Sequence, residues 1–161
     1  SKQTKADTKR VLSPRQIRYR NFFQRLIDEL REGHKFTNAK IGQPQSWYSF
    51  ASGHSGISYG ASFVKGAQIT AHLAIDRNKD SNKLLFDRLE SSRSEIESSL
   101  GYSPDWERMD DAKVSRITLY RPGSIEDDES DLVEFNSWMI ANLILFKKVF
   151  GPELDELVPQ I

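Results

Sequence analysis

Apolar residues recur at three- and four-residue spacing early in the chain. Ile17, Tyr19, Phe22, Phe23, Leu26, Ile27 and Leu30 form one stripe, and Arg15, Arg18, Arg25, Asp28, Arg31 and Glu32 lie opposite. That period predicts an amphipathic helix. Ser13-Pro14 supplies its start, because a serine hydroxyl accepts from early backbone N–H groups and proline at the first helical position loses no bond; Gly33 is expected to be a left-handed stop. After a polar stretch through Pro44 the period falls to two. Trp47 to Ala51 reads as a first strand. Ile57, Tyr59, Ala61 and Phe63 then alternate with Ser58, Gly60, Ser62 and Val64, Lys65-Gly66 permits a reversal, and Ile69, Ala71, Leu73 and Ile75 alternate with Gln68, Thr70, His72 and Ala74. Such alternation belongs to a meander with one wet face.

Asp80 or Ser81 is expected to cap a second helix that carries Leu84, Leu85, Leu89, Ile96 and Leu100 inward and stops at Gly101. Two short strands follow, Trp106 to Met109 and Val114 to Arg121, joined by the loop "DDAK". The acidic run "EDDES" precedes a third helix, where negative charge favours the positive end of the helix dipole. Leu132, Phe135, Trp138, Met139, Leu143, Phe146 and Phe150 line its apolar side, Gly151-Pro152 is expected to end it, and Leu154 to Val158 reads as a short amphipathic tail. The order α-β-β-β-α-β-β-α groups strands rather than alternating them strictly with helices. It predicts an α+β fold: an antiparallel sheet of about five strands with three main helices packed largely on one face. The other face would present Thr70, His72, Arg116, Thr118 and Tyr120. Residues 1–12 read as a flexible basic tail and 13–161 as a single α+β domain, a length at which one domain can bury a core without staples.

Composition narrows the class. Apolar residues make up 37% and charged ones 29%, values of a soluble globular chain. The longest apolar run, Met139 to Phe146, is interrupted by Asn142 and falls short of the roughly 20 residues a spanning helix needs, so no membrane is expected. "SKQTKADTKR" has no apolar signal-peptide core, and the absence of cysteine fits a cytoplasmic setting. The net charge of zero conceals an asymmetry: residues 1–45 hold eleven Lys or Arg against four Asp or Glu, while residues 105–134 hold ten carboxylates against four basic residues. The basic start suits a nucleic-acid arm, and equally an end attracted to the acidic one.

Four features invite a chemical reading. In Gly53-His54-Ser55-Gly56 a serine stands beside a histidine, but a hydrolase elbow needs glycine at the fifth position and a helix after it; here Ile57 and a strand follow, which suits a hairpin loop. Pro104-Asp105 with Asp111-Ala112-Lys113 spells the signature of many metal-dependent nucleases, in which the acids and lysine would hold Mg²⁺ and orient water, yet it sets Asp111 and Lys113 in a loop. Lys2, Lys5, Lys9, Arg10, Arg15, Arg18 and Arg20 face only Asp7 as an opposing charge, and such an arm can neutralise phosphates without reading sequence. His72 on the wet strand face is a candidate acid or base, and Trp47, Trp106 and Trp138 are candidate core or interface anchors. The scattered histidines offer no zinc-ligand spacing, so no metal or other cofactor is expected.

The stretches "QSWYSFASGHSGISYGASF", "AHLAIDRNKDSNKLLFDRLESSRSEIESSLG", "DWERMDDAKVSRITLYRPGSIEDDE" and the closing "LILFKKVFGPEL" together resemble the bacterial domain-of-unknown-function family DUF4268 over about residues 15–155. The matching positions are Trp47, Gly53, Ser55, Gly56, Asp76, Arg77, Phe86, Trp106, Arg116, Tyr120 and Arg121. The resemblance implies a shared scaffold, with Asp76 and Arg77 at a strand-to-helix junction. It also implies a place beside nuclease-like domains, in nucleic-acid processing, defence or mobile elements, without catalytic residues to carry over. The expected role is a non-enzymatic accessory module. Its nonspecific nucleic-acid contacts would come from Lys5, Lys9, Arg10, Arg15, Arg18 and Arg20, and its sheet-face or junction contacts from His72, Asp76, Arg77, Arg116 and Tyr120. A nuclease-system protein is the other expected partner. The alternatives are a self-associating or protein-interaction domain and a metal-dependent phosphodiesterase using Asp105, Asp111 and Lys113.

Overall fold

The computed structural model describes residues 11–161. Helix α1 (Pro14–Glu32) leads into strands β1 (Trp47–Ala51), β2 (Ile57–Val64) and β3 (Gln68–Asp76). Helices α2 (Lys79–Glu90) and α3 (Arg93–Leu100), strands β4 (Asp105–Glu107) and β5 (Val114–Pro122), and the long helix α4 (Glu129–Leu157) complete it. The fold is α+β, with one five-stranded, wholly antiparallel sheet in the order β1-β2-β3-β5-β4. The described residues hold four α-helices where three were expected, because the 79–100 segment breaks at Ser91-Ser92 into α2 and α3.

Local chemistry sets the boundaries. Ser13 and Gln16 close a reciprocal capping box at the start of α1, with Gln16 N–H to Ser13 Oγ at 3.1 Å and Ser13 N–H to Gln16 Oε1 at 2.9 Å. Gly33 ends α1 in right-handed rather than left-handed conformation, and the left-handed residue is Lys35, at φ 51°. Asn78, not Asp80 or Ser81, caps α2 by accepting from Ser81 N–H at 3.0 Å. The stop at Gly101 is left-handed, at φ 85°.

Helix α4 runs straight through the expected stop. Pro152 removes one backbone donor, but the next turn buries Leu154 completely and sets Leu157 against the core. Burial of apolar side chains on that turn offsets the lost bond.

The core lies between the helices and one face of the sheet. Phe23, Leu26, Ile27 and Leu30 of α1, Ile69, Leu73 and Ile75 of β3, and Leu143, Phe146 and Phe150 of α4 are wholly inaccessible to solvent. Two expectations fail at the edges of this layer. Ile17 and Leu84 face outward, and α2 instead buries Asn82 and Lys83. The Lys83 Nζ donates to the carbonyls of Arg108 (2.5 Å), Met109 (2.8 Å) and Val114 (3.2 Å) and to Ser115 Oγ (2.9 Å). Ser115 Oγ donates in turn to Asn82 Oδ1 at 2.6 Å. This polar knot, with the forked Arg108 to Asp87 pair outside it (2.9 and 3.0 Å), ties the β4–β5 hairpin to α2. Burial, then the nearby Arg108 charge, holds the Lys83 ammonium below its usual pKa.

Candidate functional site

Among the described residues all four α-helices take one face, which leaves the opposite face of the sheet open to solvent there. Strand register arranges it in rows. Ser49, Gly60, His72, Thr118 and Asp105 form one row across all five strands. Trp47, Ser62, Thr70 and Tyr120 form the next row on one side. Ala51, Ser58, Ala74, Arg116 and Glu107 form the row on the other. The face holds a groove of about 500 Å³, floored by buried Ser62, Thr70 and Thr118 and rimmed by Trp47, which is 51% exposed.

Two hydrogen-bonded chains organise the floor. Ser62 Oγ and Thr70 Oγ1 lie 2.5 Å apart, and Thr70 Oγ1 lies 3.1 Å from His72 Nδ1. On the β4 side Glu107 accepts from Thr118 Oγ1 at 2.6 Å and from the Tyr120 hydroxyl at 2.7 Å. The imidazole lies over Gly60, where a Cβ would fall 2.4 Å from Nε2, so only glycine leaves room for it. Burial, reinforced by the Arg116 charge, lowers His72 from 6.5 to about 4, and the ring is neutral at physiological pH. Burial and the bond to Glu107 raise Tyr120 to about 12. Arg116 enters none of the ion pairs formed among the described residues, although Glu107 stands opposite it in register.

The structure brings His72, Arg116 and Tyr120 together on this groove, with Asp76 at its end. Asp76 also donates its N–H to the Gly56 carbonyl at 2.7 Å, and a Cβ at Gly56 would meet the Asp76 carbonyl at 2.5 Å and Arg77 Cγ at 2.8 Å. The junction residues Asp76 and Arg77 thereby clamp the β1–β2 loop. In that loop Ser52, rather than Ser55, makes the holding bonds: it donates to the Ile57 carbonyl at 2.6 Å and accepts from His54 N–H at 3.1 Å. His54 Nε2 pairs with Asp155 at 2.8 Å, a residue that only the extended α4 could bring there. Neither His54 nor His72 is bonded to Ser55.

The basic candidates separate into different settings. Lys5, Lys9 and Arg10 lie outside the described residues. Arg18 is turned inward: Nε donates to the Ile125 carbonyl at 2.9 Å and Nη2 to the Asp127 carbonyl at 3.0 Å, so it fastens α1 to the acidic loop before α4. Arg15 stands 3.9 Å from Glu126, and Arg20 is exposed. Arg15 also borders a second groove with Lys65, Gly66 and Ser124, and this groove shares Ser46, Phe63 and Val64 with the sheet-face groove. A basic end therefore adjoins the open face.

Asp105 sits on the β4 margin of the open face, Asp111 lies in the β4–β5 loop, and Lys113 gives its carbonyl to the Asn82 amide. Among the described residues no group of three or more His, Cys, Asp or Glu side chains is placed to hold a metal ion. Nor is any helix among them long and apolar enough to cross a membrane.

Glu107, Ser62 and Gly60 complete the site without having been singled out in the sequence. Gly60 carried a usable signal, since an isolated glycine inside an alternating strand marks a close approach of another group. Comparison with curated proteins and with solved structures returned no match. The family profile described as a domain of unknown function, DUF4268, matches residues 18–154, and the chain belongs to that family.

Proposed function

We propose that the protein is a non-enzymatic accessory module that binds single-stranded nucleic acid across its open sheet face. The observation that carries this reading is the continuity of the groove with a basic end. Trp47 and Tyr120 offer aromatic surface, Arg116 is a guanidinium free of ion pairs among the described residues, and Arg15 and Lys65 stand in the adjoining groove. Bases stack on aromatic faces in a sequence-tolerant way, while phosphates seek positive charge at the margins. The carboxylates Asp76, Asp105 and Glu107 oppose a phosphate on the face itself, so the backbone belongs at the rim. The basic residues of 1–12 supply further phosphate contacts in this reading.

Fluorescence anisotropy with labelled single-stranded and duplex oligonucleotides in low salt tests it. Binding of single strands is expected, weakened about tenfold by Trp47→Ala, consistent with roughly 1–3 kcal/mol per stacked base. Deleting residues 1–12 is expected to flatten the salt dependence. Absence of binding to every strand, or binding indifferent to Trp47 and Arg116, overturns it.

A second reading rests on Trp47 and Val64, which are 51% and 39% exposed on the same rim. Those apolar surfaces suit a protein contact, with a second copy or a nuclease-system partner. Sedimentation velocity across micromolar concentrations checks the self-association form, which predicts a dimer disrupted by Trp47→Asp.

A further inference from the structure

We propose that the sheet-face groove takes an unpaired nucleobase, whose ring stacks on Trp47 and whose edge is hydrogen-bonded by His72 Nε2. This rests on the single-strand reading and names what the centre of the face recognises.

The geometry makes His72 a reader of edges. Its Nδ1 is occupied by Thr70, its ring is seated over Gly60, and its Nε2 makes no hydrogen bond within the described residues. Three buried hydroxyls surround it, so a ligand atom reaching this floor leaves water and needs a partner there. The Ser62, Thr70 and His72 chain can run in either direction. When Ser62 donates to Thr70 and Thr70 donates to Nδ1, Nε2 carries the proton and donates. Reversing those bonds turns Nε2 into an acceptor. The site can therefore adapt its polarity to a donor or an acceptor on a base edge without placing a charge.

The surroundings favour a base over a phosphate at this point. The ionisable groups on the face are Asp76 of β3, Asp105 and Glu107 of β4, and Arg116 and Tyr120 of β5; β1 and β2 bring none. Three carboxylates against one guanidinium repel an anion, and an imidazole whose pKa lies near 4 offers it no compensating charge. Arg116 on one side of the His72 row and Lys65 with Arg15 beyond the other bracket it, which leaves phosphates on either side of a base seated in the middle. The groove volume of about 500 Å³ falls within the roughly 300–1,000 Å³ of small-ligand sites.

The test is binding of four labelled single-stranded 12-mers, each of one base type in unstructured form, to wild type, His72→Ala, His72→Gln and Trp47→Ala, at pH 5.5 and 8. Circular dichroism and thermal melting verify folding of each variant. The expected result is at least a fivefold loss of affinity in His72→Ala for each base type that wild type binds, partial rescue by His72→Gln, and no change in the His72 contribution between the two pH values. Binding that persists with unaltered affinity in both His72 variants overturns the inference and leaves the single-strand reading standing. A His72 contribution that vanishes at pH 8 reveals an imidazolium contact to phosphate and also overturns it. Failure of wild type to bind any 12-mer removes both.

Discussion

The imidazole of His72 on β3 occupies the space that a side chain on Gly60 of β2 would fill, with Nε2 only 2.4 Å from the position of the missing Cβ. Gly60→Ala is therefore expected to displace the ring from Thr70 toward solvent. The imidazole pKa should move up from about 4 toward the ordinary value as its burial is lost. Proton NMR titration of the histidine ring signals reads this shift directly, and an unchanged titration would mean that the ring is held by something other than its seat on Gly60.

The same burial gives a pH dependence of stability. In the folded chain His72 stays neutral down to about pH 4, whereas in the unfolded chain it takes up a proton near 6.5. Between those values the unfolded state binds more protons, so stability rises with pH across the window and is lost as pH falls through it. At about 1.4 kcal/mol per unit the contribution is at most about 3.5 kcal/mol. Urea unfolding at pH 7.5, 6 and 5 should show a smaller drop in His72→Gln than in wild type. Parallel curves would refute the assignment.

Lys83 is expected to matter more than any exposed lysine. Its ammonium donates to three backbone carbonyls and to the buried Ser115 hydroxyl at the base of the β4–β5 hairpin. Lys83→Ala should cost about 2–4 kcal/mol. Because that hairpin carries Glu107, the loss should also loosen Tyr120 and Thr118, visible as increased amide exchange in β4 and β5.

Arginines of α1 that look alike in sequence should behave differently. Arg18→Ala removes two carbonyl contacts to the 125–127 loop and is expected to destabilise by about 2 kcal/mol. Arg20→Ala, on an exposed position, should stay within about 0.5 kcal/mol. Thermal melts of the two variants decide it, and equal effects would contradict the structural role given to Arg18.

Glycines of the β1–β2 loop separate in the same way. Gly53 and Gly56 both have positive φ, at 91° and 74°, but a Cβ at Gly53 meets open space while one at Gly56 strikes the Asp76 carbonyl at 2.5 Å. Gly53→Ala should cost about 1–2 kcal/mol for backbone strain alone. Gly56→Ala should cost more than about 3 kcal/mol, because backbone on both sides must also move. Chemical denaturation of both variants measures the difference.

Period-two alternation in β2 and β3 was enough to place the sheet and its open face, because a strand buried on one side must sort its residues by parity. The helical stripe of α1 was legible for the same reason. What the sequence concealed lies where tertiary partners override local preference. Pro152 reads as a stop, yet burial of Leu154 carries α4 past it. Lys83 adjoins the apolar pair Leu84-Leu85 without belonging to the expected stripe, yet the carbonyls of the hairpin draw it inward while Leu84 turns out. Arg18 reads as part of a phosphate-binding arm, yet it serves the acidic loop. On the open face His72, Arg116 and Tyr120 could be assigned to one surface by parity, but Glu107 sits in a three-residue strand too short to show a period. Its role as the partner of Tyr120 and Thr118 emerges only from the register of β4 on β5.

The most direct measurement of single-strand binding on the sheet face is amide and side-chain chemical-shift mapping while an unstructured single-stranded 12-mer is titrated into the labelled protein in low salt. Shifts are expected to concentrate on the indole N–H of Trp47, on Ser62, Thr70, His72, Arg116 and Tyr120, and on Arg15 and Lys65 at the basic end. Shifts confined to the outer surfaces of α2, α3 and α4, or no shifts at millimolar oligonucleotide, would contradict it.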